Sequence, residues 1–501
     1  MKKILACLLA MLLLCGCTMG KNPYVPTGDG LFVDVTTAPN RVEELPTEQK
    51  LTLSFDPGST LNPYTDTDTA NRMLFGLMYQ GLFSVDADYK VHPVLCKEFT
   101  VSRDMKTYTF SLEMATFPDG SAVTETDVLA SLEAARLGPV YSGRFTNISQ
   151  ITATAEGDIQ IQLTTPCENL PILLDIPIVK ASQVNSAWPE GTGPYYKTQG
   201  LSGHRLTRRT DWWCRANMSI TASVIPLLES DTPVSLRDDF EFGSIGLVCA
   251  DPGTDNYVDF RCDYELWGCE NGIFLYLACN EKSKVFSDPA LRTALTYAID
   301  REALVTKFYG DFATAATLPA SPHSPYYSDK LAKQYGYDPD KYLQLMTQAN
   351  ATIKEVTLLV NSADSRRIRV AHKIAEMLSV GGLRVTVNAL QDNSYQNALK
   401  KGNYDLHLGQ TKLSPNMDLT PFFAPNGSLN FGSLQDAGLY SLCQESLANA
   451  GNYYTLHQKV MQSGMLCPIL FRSYAIYTQR GLVPELNPAK DYVFYYEVIK
   501  N

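Results

Sequence analysis

Neither an H-E-x-x-H helix nor a G-x-S-x-G elbow occurs in the 501 residues, and the six histidines (His92, His204, His323, His372, His407 and His457) stand singly. Zinc-peptidase and serine-hydrolase chemistry therefore have no local motif to rest on. An extracellular hydrolase survives as a rival class only through a triad assembled from distant residues. A phosphate loop is missing too. Gly191-Thr-Gly-Pro lacks the spacing and the Lys-Ser/Thr of that motif, and Pro194 removes an N–H that phosphate would need, so a structural turn is the simpler reading. The absence of C-x-x-C argues against a zinc ribbon or a thioredoxin-type site. Basic residues are in deficit, 42 Lys and Arg against 53 Asp and Glu. That balance argues against a nucleic-acid partner, whose affinity comes from clustered cations. Internal repeats and low-complexity tracts are absent as well.

What is present begins with a leader. Lys2 and Lys3 precede the apolar run Ile4–Leu14, which is too short to span a bilayer, and polar, proline-containing sequence follows. Leu14-Cys15-Gly16-Cys17 looks like a bacterial lipobox, with cleavage after Gly16 and lipid on Cys17; an ordinary cleaved signal with an incidental cysteine is the alternative. Losing the two leader lysines takes the formal charge from −11 to −13. Nine cysteines then remain, an odd number that cannot all pair; most read as small buried apolar residues, and Cys262 and Cys269 are the one pair close enough in sequence to suspect of a bridge. Pro23, Pro26, Pro39 and Pro46 mark a tether ahead of the folded body.

A chain of this length with 45% hydrophobic residues can bury two cores, because single cores stop growing near roughly 250–300 residues. Leu51–Phe55 alternates as a strand before the turn-rich Asp56–Pro63. Tyr108–Leu112 alternates again, and Thr124–Asp127 is placed as a capping box for a helix running through Ala135. From Glu355 the pattern becomes strand (Val356, Leu358, Val360), helix (Ala371, Ile374, Ala375, Leu378), strand (Leu383, Val385, Val387), helix to Lys401 and strand Tyr404–Leu408. Such alternation predicts βαβ crossovers and a largely parallel sheet.

Residues 280–301 carry the most information. Asp288 is placed to cap a helix, Pro289 fits its first turn, and Leu291, Ala294, Leu295, Ala298 and Ile299 fall on one face. The string from Asn280 through Asp288-Pro-Ala-Leu-Arg-Thr-Ala-Leu-Thr-Tyr-Ala-Ile-Asp-Arg301 also resembles the hallmark segment of the family 5 extracellular solute-binding proteins, the peptide- and nickel-binding group that feeds ATP-driven importers. Lys106–Leu132 resembles a second block of that family, departing mainly at Pro118 and Glu125-Thr126. Gly191–Tyr195 resembles its G-T-G-P-Y turn, and Leu206–Trp212 its following strand.

The resemblance implies an α/β, two-lobed periplasmic-binding-protein-like fold (class II, cluster C type) with two hinge crossings. Its expected parts are a lipoprotein signal peptide at 1–16, a lipid-anchored tether at 17–46, lobe I at 47–268, lobe II at 269–465 and a return to lobe I at 466–501. It implies a monomer that is not an enzyme and has no cofactor or metal. Lipid on Cys17 would hold it on the outer face of the cytoplasmic membrane, where it would capture a peptide-like ligand for an ABC permease pair and ATPase. A nickel chelate or other small cationic solute, and a peptide sensor without transport, are the alternatives among binding proteins.

The ligand is expected in the cleft between lobes. Candidate lining residues are Ser59 and Tyr64 after the first strand, Tyr141, Tyr264 and Trp267 before the hinge, and Gln410, Asn416 and Asp418 in the loop Gly409–Asp418. Peptide-binding members carry a Trp and an Asp just after this last strand, the carboxylate holding an α-ammonium group. Here Gln410 stands near the Trp position and Asp418 is the one acidic residue of the loop. The resemblance thus makes Asp418 the anchor of a cationic group and Trp267 an apolar wall. Against this, Asp418 is also a plausible cap for a helix beginning at Leu419, and Trp267 a cover for the hinge. The Arg that dipeptide-binding members place after the strand equivalent to Val356–Val360 is Asn361 here, with Arg366 and Arg367 following on a helix and read as solvent-facing. His407 points opposite to Leu406 and Leu408 and is read as hydrogen-bonded or solvated, since a lone His is a poor metal site.

Overall fold

The computed structural model describes residues 50–200, 203–230, 232–253, 260–349, 354–431, 434, 436–483 and 485–499; the lipobox and the tether lie outside them. Strand formation follows the apolar alternation, and two strands are exceptional. Tyr264–Cys279 has 16 residues and Leu466–Gln479 has 14, against a usual length of about five or six. They pair antiparallel from Tyr264↔Gln479 to Ala278↔Leu466. Each is long enough to belong to two half-sheets. Near one end Leu466–Gln479 pairs with Leu247–Ala250, which leads through Leu53–Phe55, Val224–Glu229 and Gly203–Arg208 to Tyr195–Gly200. Near the other end Tyr264–Cys279 pairs with Leu406–Lys412, which leads to Lys354–Asn361 and Leu383–Leu390.

The shared ladder breaks between Glu270 and Phe274. Gly272 takes φ +70° there, a left-handed conformation that a side chain disfavours, and the Asn271 carboxamide oxygen accepts the Ile273 N–H at 3.0 Å. A bulge of this kind bends a strand and raises its twist, so the two halves of the sheet meet at an angle over this point.

Beyond the bulge the βαβ reading holds. Lys354–Asn361 pairs in parallel with both Leu383–Leu390 and Leu406–Lys412, with the helices Ser365–Ser379 and Asp392–Lys401 as the crossovers. The hallmark helix runs Pro289–Ala298, and Asp288 accepts the Ala290 N–H at 2.9 Å. Ile299 lies one residue past its end in extended backbone, yet is fully buried. The polar residues of this segment act as staples. Asn280 Nδ2 donates to the carbonyls of Gly402 and Tyr404, Arg292 to those of Phe286 and Ser463, and Arg301 to those of Ala316 and Pro468. Buried guanidinium groups are tolerable because carbonyl oxygens accept their donors.

On the other side of the bulge, an antiparallel sheet of four strands (Cys96–Val101, Thr107–Leu112, Ile159–Leu163, Ile148–Ala153) carries the helix Glu125–Leu137. Its capping box is formed, with Asp127 accepting the Thr124 N–H at 2.9 Å. Two main apolar cores result. One joins residues before the bulge to Phe274, Tyr276, Leu413, Phe422, Tyr453 and Phe471 beyond it and to Val493 and Phe494 of the C-terminal segment, so it crosses the junction; the other runs from Leu275 to Leu470. All nine described cysteines are free. The suspected Cys262–Cys269 bridge is not formed, because Cys269 is buried with its thiol 2.9 Å from the Ala489 carbonyl while Cys262 is partly exposed.

The Gly191–Tyr195 turn has a packing explanation. A Cβ on Gly193 would sit 2.5 Å from the Leu77 carbonyl oxygen, and one on Gly191 2.4 Å from that of Met78, so both glycines let the turn lie against the Phe75–Met78 helix. Gly193→Ala is expected to lower stability by about 1–3 kcal/mol through overpacking. Gly268→Ala, whose Cβ would meet nothing within 4 Å, should stay within about 0.5 kcal/mol of wild type. Urea unfolding of the two variants checks this; equal midpoints would remove the close-approach argument.

Candidate ligand cleft

Lys412 ends the last parallel strand and pairs with Ile273, the first residue past the bulge. Its ammonium lies 2.6 Å from Asp491 Oδ1, yet 39% of the side chain remains open to solvent. Burial pushes its pKa down to about 8, against the pull of Asp491. Water thus reaches the Lys412 side chain even though its ammonium is engaged by Asp491.

Asp491 comes from the C-terminal segment. It adopts φ +66° in a tight turn closed by the Ala489–Tyr492 bridge, and its N–H donates to the Glu270 carbonyl at 3.1 Å, which seats the turn on the bulge. Lys490, buried beside it, reaches Asp491 at 2.9 Å and Asp175 at 3.8 Å. Arg144 bonds Asp175 and stacks over the Tyr141 ring at 4.9 Å. Burial pushes the Asp491 carboxyl up, but Lys412, Lys490 and Arg72 outweigh it and hold the group well below the usual carboxylate range.

Arg72 completes the cluster. One Nη donates to the Asp66 carbonyl at 3.2 Å, and the guanidinium lies 5.4 Å from the Phe75 ring centre. Among the described residues no carboxylate is within ion-pair distance of it, and Tyr141, Asp491, Tyr474 and Tyr492 surround it. Tyr474 and Tyr492 are partly exposed; Tyr492 donates to the Asp175 carbonyl at 3.1 Å. Glu270, on the hinge strand itself, accepts bonds from Tyr89 and, at 2.9 Å, from Ser321, and burial raises its pKa.

The sequence-derived candidates divide around this cluster. Tyr141, Asn416 and Asp418 come together at Arg144: Tyr141 lies under its guanidinium, and the other two share a cavity with it. Asp418 accepts the Thr420 N–H at 2.7 Å at the start of the short helix Thr420–Phe423. The cap position itself is Leu419, one residue on, and burial raises the Asp418 pKa, which disfavours the charged form. Asn416 is buried and accepts from Ser414 at 2.7 Å. Gln410 accepts from Arg472 at 3.3 Å, and Arg472 also pairs with Asp251, so Gln410 faces the hinge from the parallel-sheet side.

The remaining candidates lie elsewhere. Ser59 bonds the Asp66 carboxylate at 3.1 Å. Tyr64 is fully buried with its hydroxyl on the Pro177 carbonyl at 2.8 Å, and offers a ligand no surface. Tyr264 packs its ring on Tyr477 in a separate apolar cluster with Phe240 and Phe260. Trp267 packs against the larger core and bonds Thr478 at 3.3 Å, which is the cover-the-hinge arrangement. Asn361 bonds Asp392 at 2.7 Å. Arg367 is buried beside Asp364, and Arg366 donates to the Phe308 carbonyl at 2.7 Å, so neither faces solvent freely. His407 is buried on the Tyr395 hydroxyl, with burial lowering its pKa to about 3.

Arg72, Lys412, Tyr474, Asp491 and Tyr492 escaped the sequence reading. Two of them left a trace: Lys412 lies inside the loop singled out for its carboxylate, and Lys490-Asp491 is a charged pair in an otherwise aromatic stretch. A group whose folded pKa is depressed contributes stability that is present above its unfolded value, near 4, and lost as pH falls through the folded one. Asp491 should therefore make stability fall progressively from about pH 5 downward, the loss continuing until the pH passes its folded value, well below the usual carboxylate range. Asp491→Asn keeps the left-handed backbone, which Asn tolerates, and should cost on the order of 3 kcal/mol at pH 7 while flattening that acid limb. Unfolding curves across pH check it; parallel curves for the two proteins would refute the coupling.

Comparison with known proteins agrees with this architecture. Residues 90–431 match the family model described as bacterial extracellular solute-binding proteins, family 5 middle. The glutathione-binding protein GsiB of Escherichia coli (strain K12) is 26% identical over 349 residues, 66% of this chain and 67% of its own. NikA from Brucella suis, solved with Fe(III)-EDTA, has a TM-score of 0.69 at 18% identity over 89% of this chain and 98% of that one. The oligopeptide-binding protein AppA from Bacillus subtilis, solved with a nonapeptide, has a TM-score of 0.60 at 17% identity over 90% and 100%. At such identities the structural likeness speaks for the fold, a two-lobed binding-protein architecture, while the family match spans more than half of the chain. The chain belongs to the bacterial extracellular solute-binding proteins of family 5.

Proposed function

We propose that this protein captures a peptide-like solute between its two lobes and delivers it to an ABC importer, while lipid on Cys17 holds it on the outer face of the cytoplasmic membrane. The observation that carries the reading is the position of the Lys412–Asp491 pair. One partner ends a strand of the parallel half-sheet, the other belongs to the C-terminal segment packed on the opposite half, and both lie over the bulge in the shared ladder. A solute touching both sides there favours the closed form by its differential affinity for the two states. The bodies that move are taken as 47–268 with 466–501, and 269–465.

A peptide suits this cleft because an extended backbone can add to exposed strand edges while ordered water fills tolerant side-chain pockets. Relatives named for glutathione and oligopeptides point the same way. Among the described residues no three His, Cys, Asp or Glu side chains are grouped to hold a metal, so a nickel ligand would have to arrive inside a chelator. A monomer suffices, since both sides of the cleft come from one chain. The permease pair and the ATPase are the partners the family reading requires, because the chain itself carries no phosphate loop.

Mass spectrometry of protein purified without denaturation should find a short peptide or peptide-like amide released on unfolding; a metal chelate in its place would overturn the ligand class. Cys17→Ser should move the protein from the membrane fraction into detergent-free supernatant, since two or more acyl chains give lasting attachment where one is marginal. Equal membrane partition of variant and wild type would remove the anchor.

A further inference from the structure

The family pattern leads one to look for a carboxylate at the end of the last parallel strand, and this chain places a cation there. Lys412 and Lys490 pair with the carboxylate of Asp491, and Arg72 acts on it from beyond ion-pair distance. Asp175 serves Arg144 and Lys490. Of the other carboxyls nearby, Glu270 accepts from Tyr89 and Ser321, Asp66 from Ser59 and the Asp68 N–H, Asp68 from the Asn71 N–H, and Asp251 pairs with Arg472; burial raises Glu270 and Asp66, the latter to about 6. Asp418 accepts the Thr420 N–H. Asp491 is thus the carboxylate on which Lys412, Lys490 and Arg72 all act, in a protein whose formal charge is −11.

Resting on the reading of this cleft as a solute site, we infer that it selects a ligand carrying a carboxylate, bound between Arg72 and Lys412 with the Tyr474 hydroxyl as a third donor. Arg72 has one protein hydrogen bond and no carboxylate partner among the described residues, so a fork of donors is left for a planar anion. The Tyr474 hydroxyl likewise has no hydrogen-bond partner among the described residues, and it lies within the electrostatic reach of Asp491 and Arg72. Lys412 is the cation that can be released. If it turns to the ligand, Asp491 keeps Lys490 at 2.9 Å and is not left bare. A ligand ammonium seeking Asp491 would instead displace Lys412 and then face three cations around one carboxylate. The cleft thus exchanges an internal ion pair for an external one when an anion enters.

The test compares trialanine with trialanine amide, which differ only in the C-terminal carboxylate, by titration calorimetry on the full mature protein. Wild type should bind the acid at least tenfold tighter than the amide. Arg72→Gln should bring the two within about twofold, and Arg72→Lys, which keeps the charge, should retain most of the preference. Lys412→Met should also shrink it. Equal affinities in wild type, or a preference for the amide, would overturn the inference while leaving peptide capture standing. Should neither peptide bind, the peptide reading fails and simple dicarboxylates decide the anion site separately. Succinate and glutarate should then raise the thermal midpoint of wild type and not of Arg72→Gln, and no rise in wild type would overturn it.

Discussion

The ladder between Tyr264–Cys279 and Leu466–Gln479 belongs to both half-sheets at once, and the rest of the molecule is arranged by that sharing. The apolar clusters divide by the face of this sheet, since Phe274, Tyr276 and Ala278 join one and Leu275, Leu277 and Cys279 the other, and the ladder itself breaks at Glu270–Phe274. The bulge also decides where the C-terminal segment lies: the Glu270 carbonyl accepts the Asp491 N–H, so the last charged turn of the chain is delivered to the junction. Without the bulge, Asp491 would have no seat beside the end of the Leu406–Lys412 strand.

Charge is concentrated where the halves meet, and its cost explains its geometry. Moving an ion out of water carries several kcal/mol of penalty unless partners replace the lost hydration. Deep in the parallel half, Arg292 and Arg301 meet that demand with carbonyl oxygens and leave nothing for a ligand. In the cleft, Lys412 and Arg72 are only partly supplied by protein groups. The same residue type is thus structural in one place and receptive in the other, and the difference lies in how many of its donors the fold already satisfies.

Much of the fold was legible because it follows from local periodicity and capping. The Thr124–Asp127 box, the Asp288–Pro289 start and the three βαβ strands are patterns within one stretch of chain, and each appears in the structure as read. The site was less legible because it is assembled across long separations. Arg72, Lys412 and Asp491 come from three distant segments, and none lies in a motif. Asp418 was ambiguous because a carboxylate after a strand can anchor a ligand or accept a backbone N–H of the helix that follows; its bond to the Thr420 N–H is invisible until the backbone is folded. Trp267 and Tyr64 were singled out by residue type, yet large aromatics most often cover apolar area, as these two do.

The Asn271 carboxamide nitrogen is buried without a partner beside Gly272, and residues 271–273 make no ladder pair with Leu466–Gln479. Bending concentrated there disturbs few bonds of that ladder, so the bulge behaves as the fulcrum of a lever whose two arms are the half-sheets. Seven or eight strand residues at about 3.3 Å each reach roughly 25 Å from it, and a turn of about ten degrees carries an atom at that distance some ~4 Å. A rotation too small to disturb either core therefore opens or shuts a gap wider than a hydrogen bond, and a single solute can report its presence at the far rim of the molecule.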